Sequence, residues 1–501
     1  MKDLLSRRSF LVGSTSAPLL LGESTLQAAT APNGLLRTSP EAAGIDPAAI
    51  AAFVDTVERK VGGIHSLMLL RHGKVYAEGW WSPYGPQHPH MLYSLSKSFT
   101  STAVGLALTE GKLSLDDTVL SHFPDDKPAQ VSENLAAMRI RHLLMMGTGH
   151  DKDATGPTTS QPEGNWVRGF LALPVENAPG SKFVYNSAAT YMLSALVQKV
   201  TGQSVLEYLR PRLFEPLGIL GPTWETCPKG ICTGGWGLSI KTEDIAKFGQ
   251  LYLKKGRWGD KQLIPESWVA EATSKHISNG DPAAASDWSQ GYGYQFWRCR
   301  HGAFRGDGAF CQFCLVLPEQ DAVVALTSGS NNYQGMVDAV WNHLLPAFQP
   351  AALKPSPATR ALSQRLKQLT LVPPAGQPDS PQVKQLAGKT YRFEANSLKI
   401  VSLQLKANQL ILTTDKGEQK LSYRPSAWTT GTASLSDYPS KRVATRAVWP
   451  SPETLVLTVC AYETPYIHTL TCQFGADRVT LNLKTNVGFG PTESPALVGR
   501  C

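Results

Sequence analysis

Ser94-Leu95-Ser96-Lys97 sets a hydroxyl and a primary amine three residues apart. On a helix that spacing puts both groups on one face. A serine hydroxyl is a weak nucleophile at neutral pH and needs a base within hydrogen-bond reach; a lysine whose charged form is disfavoured by burial supplies one. About one or two S-x-x-K matches arise by chance in 500 residues of ordinary composition, so the spacing alone is weak. This is the one match in the chain, and it opens a helical pattern directly after a hairpin and loop. The start of a helix offers backbone N–H groups and positive potential to developing negative charge. A Ser N-cap followed by a solvated Lys is the bland alternative.

A second candidate group is Tyr185, in Phe183-Val184-Tyr185-Asn186-Ser187, after the turn Pro179-Gly180 and just before another helical pattern. Held near Lys97, its phenol relays a proton from Ser94 to a leaving group. Alone, a tyrosine in such a place is more often a core aromatic.

With these motifs in view the chain resembles the serine β-lactamase and penicillin-binding-protein superfamily, in its class C β-lactamase, D,D-peptidase and esterase branch. Ser94-Leu95-Ser96-Lys97-Ser98-Phe99-Thr100 is similar to that branch's nucleophile motif, and Tyr185-Asn186-Ser187 to its Y-x-N motif, with Ser in place of the last Asn. Further landmarks agree in order: Arg141 to Gly149, Pro216-Leu217-Gly218, and Gly234-Gly235-Trp236-Gly237-Leu238 ahead of Asp244. The similarity spans roughly residues 36 to 345. The third family element, K-T-G or H-x-G, departs: the matching stretch is Phe304-Arg305-Gly306-Asp307-Gly308-Ala309-Phe310. Gly306 stands where the cation belongs and Asp307 adds a negative charge. The resemblance implies Ser94, Lys97 and Tyr185 as the catalytic centre. It implies the N–H groups of Ser94 and Ala309 as an oxyanion hole, and Ser187, Gly306, Asp307 and Gly308 beside the substrate. Recognition of a substrate carboxylate is in doubt without the cation.

The elements that must position these groups read as an α+β pattern. His65 to Leu70 and Lys74 to Trp80 form a hairpin turning at His72-Gly73. Helices follow at Ser94 to Glu110, Ile140 to Met146, Ala188 to Val200 and Thr242 to Lys254, and Cys311 to Leu317 and Asp321 to Ser328 read as antiparallel strands. The expected fold is a β-lactamase-like domain, an antiparallel sheet flanked by helices with a helical subdomain, over residues 30–350. Prolines 355, 357, 373, 374, 378 and 381 mark 351–382 as a linker around one helical stretch, Arg360 to Leu369. Alternating runs from Leu398 onward predict an antiparallel β domain at 383–501, a small barrel.

The net charge of +8 comes from 48 basic and 40 acidic residues with no block of like charge, which argues against nucleic acid as a partner. Ser6-Arg7-Arg8-Ser9-Phe10-Leu11, a short apolar region and Ala28-Ala29 read as a twin-arginine signal over 1–29. The mature protein is then expected in the periplasm or secreted, with no stable membrane insertion. In that compartment eight cysteines are free to pair, in 105 ways. Cys460 and Cys472 flank the Thr464-Pro465-Tyr466 turn almost symmetrically and are expected to lie close together, within reach of a bond. Cys311 and Cys314 fall on opposite faces of a strand, against a redox pair. His88-Pro89-His90 lacks a metal-site pattern, and His150-Asp151 reads as loop architecture; no metal and no cofactor is expected.

The function expected is an exported serine hydrolase working through an acyl-enzyme on a small-molecule or peptide-like acyl substrate, an ester or simple amide. The competing readings are a true β-lactamase or D,D-peptidase, and a non-catalytic cell-wall or ligand-binding protein on the same fold.

Overall fold

The computed structural model describes residues 34–372, 374–424, 427–435 and 441–501. The expected signal segment, 1–29, lies outside them, as does Pro373.

Seven strands form the central sheet: β1 (Leu36–Arg37), β2 (Ile64–Arg71), β3 (Lys74–Trp80), β4 (Trp297–Arg298), β5 (Phe304–Gly308), β6 (Gln312–Leu317) and β7 (Ala322–Ser328). Their order is β1-β3-β2-β7-β6-β5-β4, antiparallel throughout except for the β1–β3 pair. The β2–β3 turn is two residues long, with φ of 51° at His72 and 73° at Gly73. Positive φ at both positions matches the twist of the flanking strands, which is why a His-Gly pair between two apolar runs already reads as a hairpin.

Both faces of this sheet are buried, and strand alternation divides the side chains between two apolar layers. Met68, Leu70, Cys314, Val316, Val323 and Ala325 face one layer; Leu67, Leu69, Phe313, Leu315, Val324 and Leu326 face the other. The first layer is shared with helices α2 (Ser96–Thr109), α3 (Ser187–Thr201) and α4 (Thr242–Leu253); the second with α1 (Pro47–Thr56) and α5 (Tyr333–Ala339). A sheet covered on both faces is a rigid platform for a site at its edge. Residues 358–371 run back over that second layer: helix α6 (Ala358–Lys367) buries Leu362 and Leu366, one helical turn apart.

Beyond residue 389 ten strands form one antiparallel sheet around a core that includes Tyr391, Leu403, Leu405, Leu410, Leu455, Leu457 and Leu470. Its edge strands, Gly417–Ser422 and Thr429–Thr432, come together: Ser434 N donates to Gln419 Oε1 at 2.6 Å, and Thr445 Oγ1 donates to Ser422 O. The sheet is thus nearly closed into a barrel, which protects its edges from pairing with other chains.

The register of this sheet corrects one expectation. Cys460 lies opposite Ile467 and Cys472 opposite Leu455. The two cysteines sit five positions out of register, about 17 Å at ~3.4 Å per residue, and they face different apolar clusters. No bond joins them, because the hairpin is centred earlier than the Thr464-Pro465-Tyr466 run suggests. All eight cysteines are free thiols. Cys311 and Cys314 do face opposite layers. Among the described residues no helix is long and apolar enough to cross a membrane.

Candidate active site

Ser94 sits in a single 3₁₀ turn, Tyr93–Leu95, that leads into α2. Ser96 pins this turn: its Oγ donates to Tyr93 O at 2.6 Å and accepts from Leu238 N at 3.1 Å. Lys97, one turn on, is 1% exposed. Its Nζ donates to Ser94 Oγ at 3.0 Å, Ser187 Oγ at 2.9 Å and Gly235 O at 2.7 Å. Three neutral acceptors hold the amine but do not compensate a buried positive charge. Burial brings the lysine pKa down to about 7, opposed by the more distant charges of Asp153 and Asp307. Near neutral pH Lys97 therefore has a substantial population of free amine aimed at a serine hydroxyl.

Tyr185 and Ser187 flank the start of α3. Asn186 between them is fully buried and caps that helix, its Oδ1 accepting from Ala188 N at 3.1 Å. The cap fixes the direction of both neighbours. The Tyr185 ring lies 4.8 Å from Lys97 Nζ and stacks on Trp297 at 5.5 Å. Burial pushes its phenol far above the ordinary tyrosine range, while its hydrogen bond with Ser94 pulls the other way. Tyr185 is a neutral phenol at neutral pH, a group that passes a proton on rather than one that begins as an anion.

On the far side of Ser94 runs β5. Here the structure places the expected residues differently from one another. Ala309 and Asp307 line the cavity above Ser94, together with Ser187 and Tyr185. Gly306 and Gly308 do not. A Cβ on Gly306 would stand 2.3 Å from Leu95 Cδ1 and 2.8 Å from Ser98 Oγ; one on Gly308 would stand 2.0 Å from Leu92 O. Both glycines face the turn that carries Ser94 and let the strand approach it closely. By strand parity position 306 therefore faces the Ser94 turn and offers no socket for a cation. Arg305 points to the opposite face, fully buried, its Nε donating to Asp307 Oδ2 at 3.0 Å and its guanidinium 4.1 Å over the Trp288 ring. Burial raises the Asp307 pKa and the adjacent guanidinium opposes it.

The loop after β5 is strained. Phe310 and Cys311 have φ of 65° and 68°, a region few non-glycine residues occupy. Phe310 N donates to Tyr333 Oη at 2.8 Å, and Gln312 Nε2 donates to the carbonyls of Ala309, Phe310 and Ser328. These bonds hold Ala309 beside Ser94. Each such residue costs about 1–3 kcal/mol, and strain of this kind collects at functional sites.

The cavity measures about 630 Å³. The sequence gives no sign of four residues in its lining, Asp153, Trp288, Tyr333 and Phe489, because they arrive from distant loops, a helix start and the β domain. The other histidine candidates lie elsewhere. His150 is buried against Thr148 and Phe170 while Asp151 pairs with Lys182, so the two form no dyad. His90 bonds His65 at 3.1 Å in a buried stack.

The fold is that of the β-lactamase-like serine hydrolases. The Beta-lactamase family model matches residues 49–347, and the chain belongs to that family. The 6-aminohexanoate-dimer hydrolase of Paenarthrobacter ureafaciens is 24% identical over 282 residues, 52% of this chain and 72% of that one. The Escherichia coli protein named "Putative D-alanyl-D-alanine carboxypeptidase" is 29% identical over 152 residues, 28% of this chain and about a third of its relative (35%). Among solved structures, the octameric penicillin-binding protein homologue from Pyrococcus abyssi is similar over 90% of this chain and 99% of its own, at 16% identity and a TM-score of 0.48.

Proposed function

We propose that this protein is an exported serine hydrolase that cleaves esters or simple amides by acyl transfer. Ser94 Oγ attacks the substrate carbonyl as Lys97 Nζ takes its proton, and the N–H groups of Ser94 and Ala309 hold the oxyanion. Tyr185 passes the proton to the departing oxygen or nitrogen. Water then attacks the acyl-enzyme with the same groups in reverse roles, releasing the acid and restoring Ser94. The observation that carries this reading is the buried Lys97 amine at 3.0 Å from Ser94 Oγ, with its pKa brought down to about 7.

A fluorophosphonate probe tests it: wild type is labelled, and Ser94→Ala is not, with thermal stability nearly unchanged because a single hydroxyl is lost. Labelling that survives the substitution removes Ser94 as nucleophile.

A carboxylate-bearing β-lactam or D-Ala-D-Ala peptide is the rival substrate, favoured by the carboxypeptidase relative. Against it stand Gly306, which leaves no room for a cation, and Asp307 in the cavity lining. A charge-assisted contact to a carboxylate is worth about 1.5–3 kcal/mol, ten- to a hundredfold in affinity. Small neutral esters are therefore expected to show higher kcat/KM than penicillins. Preference for benzylpenicillin over p-nitrophenyl butyrate promotes the β-lactamase reading. For the twin-arginine signal, changing Arg7 and Arg8 to Lys should strand a longer precursor in the cytoplasm. Normal export of that double variant points to another route.

A further inference from the structure

The cavity over Ser94 draws its lining from both halves of the chain. Phe489, on the segment that follows strand Arg478–Thr485 of the β domain, joins Tyr93, Tyr185, Trp236, Trp288, Trp297 and Tyr333 around it. Its ring stands edge-on to Tyr93 at 5.6 Å and tilted against Phe310 at 5.0 Å. Bonds across the domain boundary fix this placement. Asn486 Nδ2 donates to Gly329 O at 3.0 Å, Tyr84 Oη donates to Thr464 O at 3.0 Å, and the hydroxyls of Tyr93 and Tyr466 bond each other.

A singly exposed apolar side chain usually means nothing. Phe489 differs in two respects. It is 77% exposed and, among the described residues, the one aromatic side chain of the six large apolar ones left at the surface. It also lies on the wall of the cavity over Ser94, where half of the lining residues are aromatic and the two carboxylates are Asp153 and Asp307. Such a lining favours an aromatic group over a small or anionic one, since stacked and edge-on ring pairs add attraction beyond buried area.

We propose that the β domain is a specificity element of the hydrolase, with Phe489 as the residue that selects substrates carrying an aromatic group. This rests on Ser94 being the nucleophile. The inference makes the β domain part of the binding cleft rather than an independent binding module.

The test uses the full chain and two pairs of esters: p-nitrophenyl phenylacetate against p-nitrophenyl acetate, which differ in the acyl part, and benzyl against methyl acetate, which differ in the leaving group. Wild type should favour the aromatic member of at least one pair. Phe489→Ala should reduce that preference by a factor of about three to ten, Phe489→Trp should keep it, and Leu220→Ala, an equally exposed apolar site elsewhere, should leave it unmoved. An unchanged preference in both pairs for Phe489→Ala and Phe489→Leu, with native melting curves, overturns the proposal while leaving the hydrolase reading intact. A wild-type enzyme with neither fluorophosphonate labelling nor ester turnover overturns that reading, and this inference with it.

Discussion

The two flanks of Ser94 are built on opposite plans. The helix flank gathers Lys97, Ser187, Gly235 and Tyr185 around the hydroxyl, with distances of 2.7–3.0 Å from a lysine kept partly uncharged by burial. The strand flank has no side chain at 306 or 308, and its one cation, Arg305, lies on the face away from those glycines, paired with Asp307. The difference separates two tasks. Activating a nucleophile needs a base at fixed reach; choosing a substrate needs complementary charge and shape around the cavity. Under the proposed mechanism the helix flank serves the first task, and aromatic rings with a buried ion pair line the side that serves the second.

The comparison breaks if the helix flank is dispensable. Lys97→Met, close in volume and uncharged, should lower kcat/KM by about 10⁴ or more, since it removes the base from an otherwise assembled site. In wild type the acid limb should follow the same lysine: as the proposed base Lys97 acts as free amine, so kcat/KM should fall as pH drops through about 7. A flat profile between pH 5 and 9 contradicts that assignment. Tyr185→Phe should cost about 10²–10⁴ in kcat as a lost proton relay; full turnover demotes the residue to packing.

On the strand flank the prediction is a loss of stability. Arg305→Leu leaves Asp307 as an uncompensated buried carboxylate and should destabilise the fold by about 3–5 kcal/mol in urea melts. Asp307 and Arg305 replaced together, by Asn and Leu, should recover much of that loss. The smallest effect is at Gly306→Ala, whose Cβ meets Leu95 Cδ1 and Ser98 Oγ. Overpacking there should cost about 1–3 kcal/mol, and an undisturbed melting midpoint would mean that the Leu95 and Ser98 side chains move aside freely.

What could be read from the sequence follows from the range of the signal. The His72-Gly73 hairpin, S-x-x-K and the Tyr185-Asn186-Ser187 cap are local: turn chemistry, one helical turn and a helix start each fit within a few residues. Asp153, Trp288, Tyr333 and Phe489 reach the cavity through contacts that no spacing encodes. Gly306 shows a subtler limit. Its position in the motif is legible, but the side of the strand it faces depends on how β5 passes α2, and a period of two makes that a binary outcome. The same sensitivity defeats the Cys460–Cys472 pairing, where a small error in the centre of a hairpin becomes five positions along the ladder. Helix α6 was legible as a short helical run but not as a sheet-covering element, because the surrounding prolines describe the chain's stiffness and not what Leu362 and Leu366 touch.

Tyr93, the residue before Ser94, has φ of 49° and bonds Tyr466. Seen through descent, that bond ties two sites 373 positions apart in the chain. A recombination event that replaced the β domain with one from a relative would bring a foreign partner to the residue beside Ser94, and would change the wall that Phe489 forms. A chimera of that kind is expected to need a compensating change at Tyr93 along with the new domain.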